Sequence, residues 1–373
     1  MDIKIIHDFN ELSPYRDRWN SILSNSSNNN VFLTYEWMST WWEVYGSHKQ
    51  LFVLLVEEEG NPVGIVPMYS EERNFMGVLP IRQYAFLANR YVGSDFLDFI
   101  IDPGKEKEVL TKVLEYFTSH RIWDRIVFED IDSESPTLGF LLSCLERSHL
   151  SFQQNVSFMC PYMILPDEWE AFMNTPDLVF KKSIQRYVKK LYRQRQINLE
   201  LAVEESRLDE SLKNLFKLHK ERWNLSGSSG IFEDKNIKEF YHKISRVLSR
   251  RGWLRLSALQ VDSKIEAMEF GIIYSHKYYY LQSGCSQAGL RMKAGNVLRY
   301  KVFESLIGNT KIIHFMRGAE PYKFDWGCLN KLTVNMELFR GFKGRLILLI
   351  GTLLENIKEL ARVLLSRKIS RIR

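Results

Sequence analysis

What the chain lacks bounds it first. Its 373 residues include only four cysteines, Cys144, Cys160, Cys285 and Cys328, far apart and with no CxxC pair. That spacing argues against a zinc site and against a disulfide framework, and it suits a reducing compartment. Met1-Asp2-Ile3-Lys4 opens a short strand pattern instead of a basic and then apolar leader, so no signal peptide is expected. No apolar run reaches the roughly 18 residues that cross a bilayer. The strongest candidate, 346-LILLIGTLL-354, is half that length. These absences predict a cytoplasmic protein with no metal centre.

Of what is present, 45% is hydrophobic and 26% charged, an ordinary globular balance that allows about two domains. The formal charge of +6 is modest but unevenly placed. The stretch 178-LVFKKSIQRYVKKLYRQRQ-196 carries seven Lys or Arg and no acid. On a helix, Lys182, Arg186, Lys189, Lys190 and Arg193 share one broad face, with Val188 and Leu191 largely opposite. Such a face is either a solvated surface or a docking surface for an anionic partner.

Ser13-Pro14 has the form of a helix start, with the helix running to about Leu23. A second helix, Tyr35 to Tyr45, carries a Trp37, Trp41, Trp42 stripe, and 51-LFVLLVEEEGNPVGIVPMY-69 reads as strand, turn, strand. The second half repeats the plan. A helix at 211-SLKNLFKLHKERW-223 leads into the strands of 254-LRLSALQVDSKIEAMEFGIIYSHKYYYLQSG-284. Helices leading twice into a meander predict two related α/β domains in tandem.

After the strand Tyr278 to Gln282 comes the glycine-bearing basic segment 284-GCSQAGLRMKAGN-296, then a helix from about Val297 to Ile307 and a strand at 311-KIIHFM-316. A helix entered this way offers free N–H groups and a positive dipole end to an anion, with Gly295 letting a ligand reach the backbone and Arg291 and Lys293 adding charge. The segment is neither GxxxxGK[ST] nor a strict GxGxxG, which removes nucleoside triphosphate and dinucleotide readings. The following strand exits into 315-FMRGAEPYKFDWG-327, where Arg317, Glu320, Lys323 and Asp325 crowd among aromatic rings. A plain loop or a plain core would hold neither mixture.

The order strand, basic glycine segment, helix, strand, ending in Arg317-Gly318-Ala319-Glu320-Pro321-Tyr322-Lys323, resembles the GNAT-like acetyltransferases called CelD-like, of cellulose and exopolysaccharide biosynthesis. These are related in turn to the FemAB peptidoglycan aminoacyltransferases. The similarity takes in 35-YEWMSTWW-42, Ile65-Val66-Pro67, 93-GSDFLDF-99, the basic helix around Lys190 and 219-HKERW-223. It implies an α/β (α+β) fold of two tandem GNAT-like domains with mixed sheets flanked by helices. These domains are expected at 1–165 and 166–345, followed by an amphipathic helix at 346–373.

The resemblance also implies acyl transfer from acetyl-CoA or another acyl-CoA to an amine or hydroxyl of a saccharide acceptor. Arg291, Lys293, Ala294, Gly295 and Asn296 would hold the donor, although Ala294 stands where GNAT loops usually have glycine and Asn296 where they have glycine or alanine. GNAT-type sites draw an oxyanion donor from a splayed strand, expected here near Met268 to Ile272, which makes Glu269 the candidate base. Tyr322 would protonate the leaving thiolate or orient the acceptor. Arg317 and Lys323 would bind an acidic group of the acceptor, Glu320 or Asp325 its hydroxyls, and Asp95 and Asp98 would face the cleft between the halves.

Two other functions compete. A FemAB-type transferase would take aminoacyl-tRNA on the basic face of 181–195, although no long helical hairpin arm of that kind is evident. A membrane-surface scaffold would use the tail, where Leu346, Ile350, Leu353, Leu354, Ile357, Leu360, Ala361 and Leu364 fall at helical spacing. Arg362, Arg367, Lys368, Arg371 and Arg373 follow, with no acid after Glu359. Peripheral contact at the inner face of a membrane is compatible with the acyltransferase reading as well.

Overall fold

Thr34 starts the Trp-rich helix: its hydroxyl accepts from the Trp37 amide (3.3 Å), and Trp37 and Trp41, one turn apart, are fully buried. The computed structural model describes residues 1–89, 92–174, 178–225 and 227–370, without the side chains of 178, 355 and 358–370. In it the first half contains β1 (Asp2–Ile6), α1 (Arg16–Asn25), α2 (Tyr35–Tyr45), β2 (Gln50–Glu58), β3 (Asn61–Phe75), β4 (Leu79–Phe86), β5 (Ile100–Ile101), α3 (Glu106–Ser119), β6 (Arg125–Asp132), α4 (Pro136–Glu146) and β7 (Ser151–Ile164). The second half begins with α5 (Trp169–Met173), α6 (Leu178–Gln194), β8 (Ile197–Glu200), α7 (Leu208–Asn224) and α8 (Lys235–Arg250). It continues through β9 (Leu254–Val261), β10 (Lys264–Tyr274), β11 (Lys277–Cys285), α9 (Gln287–Arg291), α10 (Ala294–Leu306), β12 (Ile312–His314), α11 (Pro321–Phe324), β13 (Leu329–Phe339) and α12 (Gly341–Ser370).

The halves share one mixed sheet, ordered β1-β2-β3-β4-β6-β13-β7-β12-β11-β10-β9-β8, with β5 beside β3. Each half ends in a strand that lies in the other half's territory. β13 pairs antiparallel with β6, and β7 pairs antiparallel with β12. β7 and β13 pair with each other from Leu329↔Tyr162 to Phe339↔Ser151. This exchange joins the strands of the two halves into one continuous sheet. The expected boundary at 165 therefore falls just after a strand that belongs to the second half's side of the sheet.

The doubled plan is visible in the helices too. α2 and α8 precede the meanders β2–β4 and β9–β11, and they pack on each other, Trp37 meeting Phe240 edge-on at 5.0 Å. Asp234 caps α8 by accepting from the Asn236 and Ile237 amides (2.7 and 3.2 Å). Ile237, Phe240, Ile244 and Leu248 then fall inward at helical spacing.

Two expected boundaries shift, and one cation of the basic helix turns inward. Pro14 sits inside a 3-10 turn, Phe9–Tyr15, that precedes α1. The helix placed from Val297 begins at Ala294, and the stretch before it is already helical as α9. On α6, Lys181 turns inward with Ile184, Val188 and Leu191 and donates to the Phe172 carbonyl (3.3 Å), while the other five cations of the helix stay exposed.

α12 docks through Ile347 and Leu348 on Phe75, Leu79, Ile81 and Phe339, leaving Phe342, Leu349, Leu353, Leu354 and Ile357 exposed. The side chains of Leu360, Ala361, Leu364, Arg362, Arg367 and Lys368, and all of Arg371 and Arg373, lie outside the described residues. Among the described residues, no helix is long and apolar enough to cross a membrane.

Candidate active site

The site begins where two parallel strands part. β11 pairs with β12 only over Lys277–Tyr279 and Ile312–His314, then continues to Cys285 with β10 as its one partner. From Tyr280 onward the edge that faced β12 has no strand beside it among the described residues. β11 also carries a bulge: Phe270 faces Gln282 but Gly271 faces Tyr280, so Leu281 is an extra residue. Bulges increase local twist and re-aim side chains. The parting was expected at Met268–Ile272 on β10, but β10 is laddered on both sides, by β9 and β11. It occurs one strand over.

Two cavities occupy the cleft. The first, ≈ 250 Å³, lies between β10, β11 and the start of α10, and Glu269, Lys293, Gly295, Asn296 and Tyr322 line it. The second, ≈ 270 Å³, lies between α7, β11 and the chain after β12, and His219, Arg317, Glu320, Tyr322 and Lys323 line it. Arg222, Ser283 and Tyr322 line both. The two spaces therefore meet at Tyr322.

On the α10 side of the first cavity, Lys293 takes the left-handed conformation (φ 54°) and turns the chain from α9 into α10. A Cβ on Gly295 would project into open space, so the backbone there faces the cavity bare. Its amide hydrogen-bonds Cys285, whose thiol burial pushes up to about 11. The Lys293 ammonium lies 4.4 Å from the Tyr187 ring centroid, which brings α6 against this end. Arg291 is exposed and Ala294 is buried in the core, and neither lines the cavity. The amides of Asn296 and Val297 both donate to the Lys293 carbonyl (3.0 Å each) and that of Gly295 to Cys285, so the free N–H groups expected here are engaged; the helix dipole, the bare glycine and the Lys293 charge are what suit a phosphate group.

Glu269 is buried and accepts from the Tyr278 hydroxyl (2.8 Å). That hydroxyl passes over Gly271, where a Cβ would stand 2.1 Å from it. Burial raises the Glu269 carboxyl above its ordinary value, against the opposing pull of Arg299, whose Nε is 3.9 Å away. Tyr322, on α11, has the guanidinium of Arg299 at 5.1 Å and that of Arg222 at 5.5 Å from its ring centroid.

Several expected acceptor contacts are engaged elsewhere. Arg317 Nε donates to Asp95 Oδ1 (2.6 Å), its amide to Asp95 Oδ2 (2.8 Å) and Nη2 to Asp130 (2.9 Å). Asp95 is completely buried and lines neither cavity. Asp98 is also buried away from both, accepting from Ser135 Oγ (2.5 Å), and burial raises its carboxyl to about 7. The Lys323 ammonium donates to the carbonyls of Met316, Arg317 and Gly318 (3.2, 2.8 and 3.0 Å) and pairs with Glu320 (2.8 Å). Three hydrogens meet four acceptors, so no donor is left over. Asp325 is exposed and lines neither cavity.

The residues that sequence reasoning left unassigned stand at the centre. Arg222 donates to Ser283 Oγ (2.8 Å), Tyr280 donates to the same oxygen, and Arg299 donates to the Tyr280 hydroxyl. Burial, with Arg222 nearby, lowers His219 to about 4, which keeps it neutral. Two signals pointed here. His219 and Arg222, three residues apart in 219-HKERW-223, share a helix face, and Arg299 falls inside the apolar stripe of Leu298, Val302, Phe303 and Leu306.

Comparison with known proteins fits this geometry. A model of the Acetyltransferase (GNAT) domain matches residues 179–324, the span from α6 to α11. No curated protein matches the chain. Among solved structures, FemX superposes with TM-score 0.60 at 10% identity, over 89% of this chain and 97% of its own. A conserved protein of unknown function from Bacteroides thetaiotaomicron superposes with TM-score 0.59 at 13% identity, over 91% and 100%. The C-terminal domain of a putative lysylphosphatidylglycerol synthetase from Agrobacterium fabrum does so with TM-score 0.53 at 12% identity, over 93% and 98%. The chain thus has the fold of the GNAT acetyltransferases, with the matched domain holding the helix start, the parted strands and Tyr322.

Proposed function

We propose that the protein is an acyl-CoA-dependent acyltransferase, moving an acetyl or other acyl group onto an amine or hydroxyl of a sugar-containing acceptor. The observation that carries this is the pair of cavities meeting at Tyr322, one of which ends at the start of α10. The donor's diphosphate would lie at Lys293, Gly295 and Asn296, with the thioester toward Tyr322. The acceptor would enter through the second cavity, where Trp223, Tyr280 and Tyr322 offer aromatic faces. The resemblance around Arg317–Lys323 supports an acceptor from polysaccharide or cell-envelope biosynthesis.

In this reading the acceptor's nitrogen or oxygen bonds to the acyl carbon and gives its proton to Glu269. The carbon–sulfur bond breaks, and Tyr322 protonates the departing thiolate. The open edge of β11 beyond Tyr279 supports a backbone donor for the tetrahedral oxyanion. The test is acetyl-CoA binding by the full chain and release of free thiol with a panel of amino sugars. No binding and no thiol would remove the proposal.

One observation favours a second reading, a transferase using aminoacyl-tRNA. Lys182, Arg186, Lys189, Lys190 and Arg193 are exposed on α6, the helix whose Tyr187 meets Lys293, and none has an acidic partner among the described residues. Phosphate contacts make such binding fall steeply with salt. Binding to charged tRNA that is unchanged between about 50 and 200 mM salt counts against it.

A further inference from the structure

The junction between the cavities carries a surplus of positive charge that the acyl-transfer steps do not use. Arg222 and Arg299 both lie against the Tyr322 ring, at 5.5 and 5.1 Å from its centroid. Arg299 is 5% exposed, and its Nε has no hydrogen-bond partner. Its nearest carboxylate, Glu269, stands at 3.9 Å, beyond hydrogen-bond reach. Arg222 is half-buried, and no carboxylate lies within 4 Å of it among the described residues. Between them the two guanidiniums have ten N–H donors. The only hydrogen-bond partners they have among the described residues are the hydroxyls of Ser283 and Tyr280.

A buried guanidinium without a matching anion is costly, because desolvation is not offset. Elsewhere in the cleft this chain meets that cost internally: Arg317 has Asp95 and Asp130, and Lys323 has Glu320. At the junction it does so only in part: Arg299 has Glu269 at 3.9 Å, and Arg222 has no carboxylate among the described residues. In the proposed arrangement the donor's diphosphate meets Lys293, Gly295 and Asn296, about one helical turn before Arg299 on α10, while Arg222 stands on α7 across the junction. Guanidinium forks fit planar carboxylates through paired N–H donors.

We infer that Arg222 and Arg299 bind a carboxylate carried by the substrate beside its reacting centre. The acceptor is its source in the arrangement above, because Arg222 also lines the acceptor cavity. A carboxylate on the acyl group is the second source of the same chemistry. The inference rests on the acyltransferase reading only for which cavity takes which substrate.

The test is binding of matched pairs to the full chain, measured by calorimetry so that no turnover is required. Glucosamine is compared with its 6-carboxylate, tyramine with tyrosine, and acetyl-CoA with succinyl-CoA. The carboxylate member of at least one pair should bind about 10-fold or more tighter, as a charge-assisted hydrogen bond allows. Preference in the first two pairs assigns the carboxylate to the acceptor, and preference in the third assigns it to the acyl group. Arg222→Gln should abolish the preference, weakening the carboxylate member of the pair about 10-fold or more while its uncharged partner binds as before. Because Arg299→Gln alters a buried site, its thermal melt is measured alongside and Arg222→Gln serves as the independent check. Equal binding within every pair, no binding by any carboxylate member, or equal weakening of both members in Arg222→Gln overturns the inference. Loss of acetyl-CoA binding with the preference intact would remove the acyltransferase reading and leave the carboxylate site standing.

Discussion

Arg317 Nε lies 2.6 Å from Asp95 Oδ1, an ion pair between residues 222 positions apart. The same guanidinium reaches Asp130, so two buried carboxylates of the first half depend on one arginine of the second. It therefore fastens the strand exit to the opposite half of the sheet. Removing it leaves both carboxylates buried and unpaired, so Arg317→Met should lower stability by about 3–5 kcal/mol. Urea unfolding measures this, and a loss below about 1 kcal/mol, typical of an exposed pair, contradicts the assigned role.

Glu269→Gln keeps an oxygen for the Tyr278 hydroxyl but removes the base. Turnover should fall about 100-fold or more, with acetyl-CoA affinity retained. A base works deprotonated, and burial raises this carboxyl, so the wild-type rate should climb with pH along a limb centred above 4.5. The glutamine variant should lose that limb. An unchanged pH profile in the variant would transfer the role to another group.

Gly295 presents bare backbone to open space, and leucine is a good helix former. Gly295→Leu should therefore keep or raise the melting temperature while weakening acetyl-CoA binding at least about tenfold, or 1.4 kcal/mol. Unweakened binding would place the donor elsewhere.

Asp98 gives a pH signature in stability. Burial raises its carboxyl from 3.8 to about 7, so between those values the folded chain holds a proton that the unfolded chain has released. Its contribution is full below 3.8 and is lost as pH rises toward 7. Asp98→Asn removes this slope, and its melting temperature relative to wild type should increase between pH 4 and 8. A pH-independent difference would mean that Asp98 titrates normally.

The apolar stripe of α12 is a further proposal to test. Phe342, Leu349, Leu353 and Ile357 are exposed at helical spacing, and the sequence beyond them turns basic. The full chain should float with anionic vesicles more than with neutral ones, and Leu349→Glu with Leu353→Glu should abolish flotation. Equal recovery with both vesicle types, or flotation unaffected by the glutamates, removes this contact.

The sequence by itself determined the elements whose logic is local. The stripes of α2, α7 and α10, the doubled meander and the glycine-bearing turn into α10 all follow from side-chain period and turn chemistry within a few residues. Lys293 and Gly295 were accordingly legible as candidates, Asn296, Glu269 and Tyr322 entered only through the family resemblance, and one cavity holds all five. Only the tertiary structure decided which charges face each other. Arg317 met Asp95 instead of a neighbour such as Glu320, β7 and β13 changed sides, and the strands parted at β11 instead of β10. The reason is that an ion pair or a strand pairing is selected by joint burial of groups far apart in the chain. Local pattern reports which face is buried, but not what lies across from it.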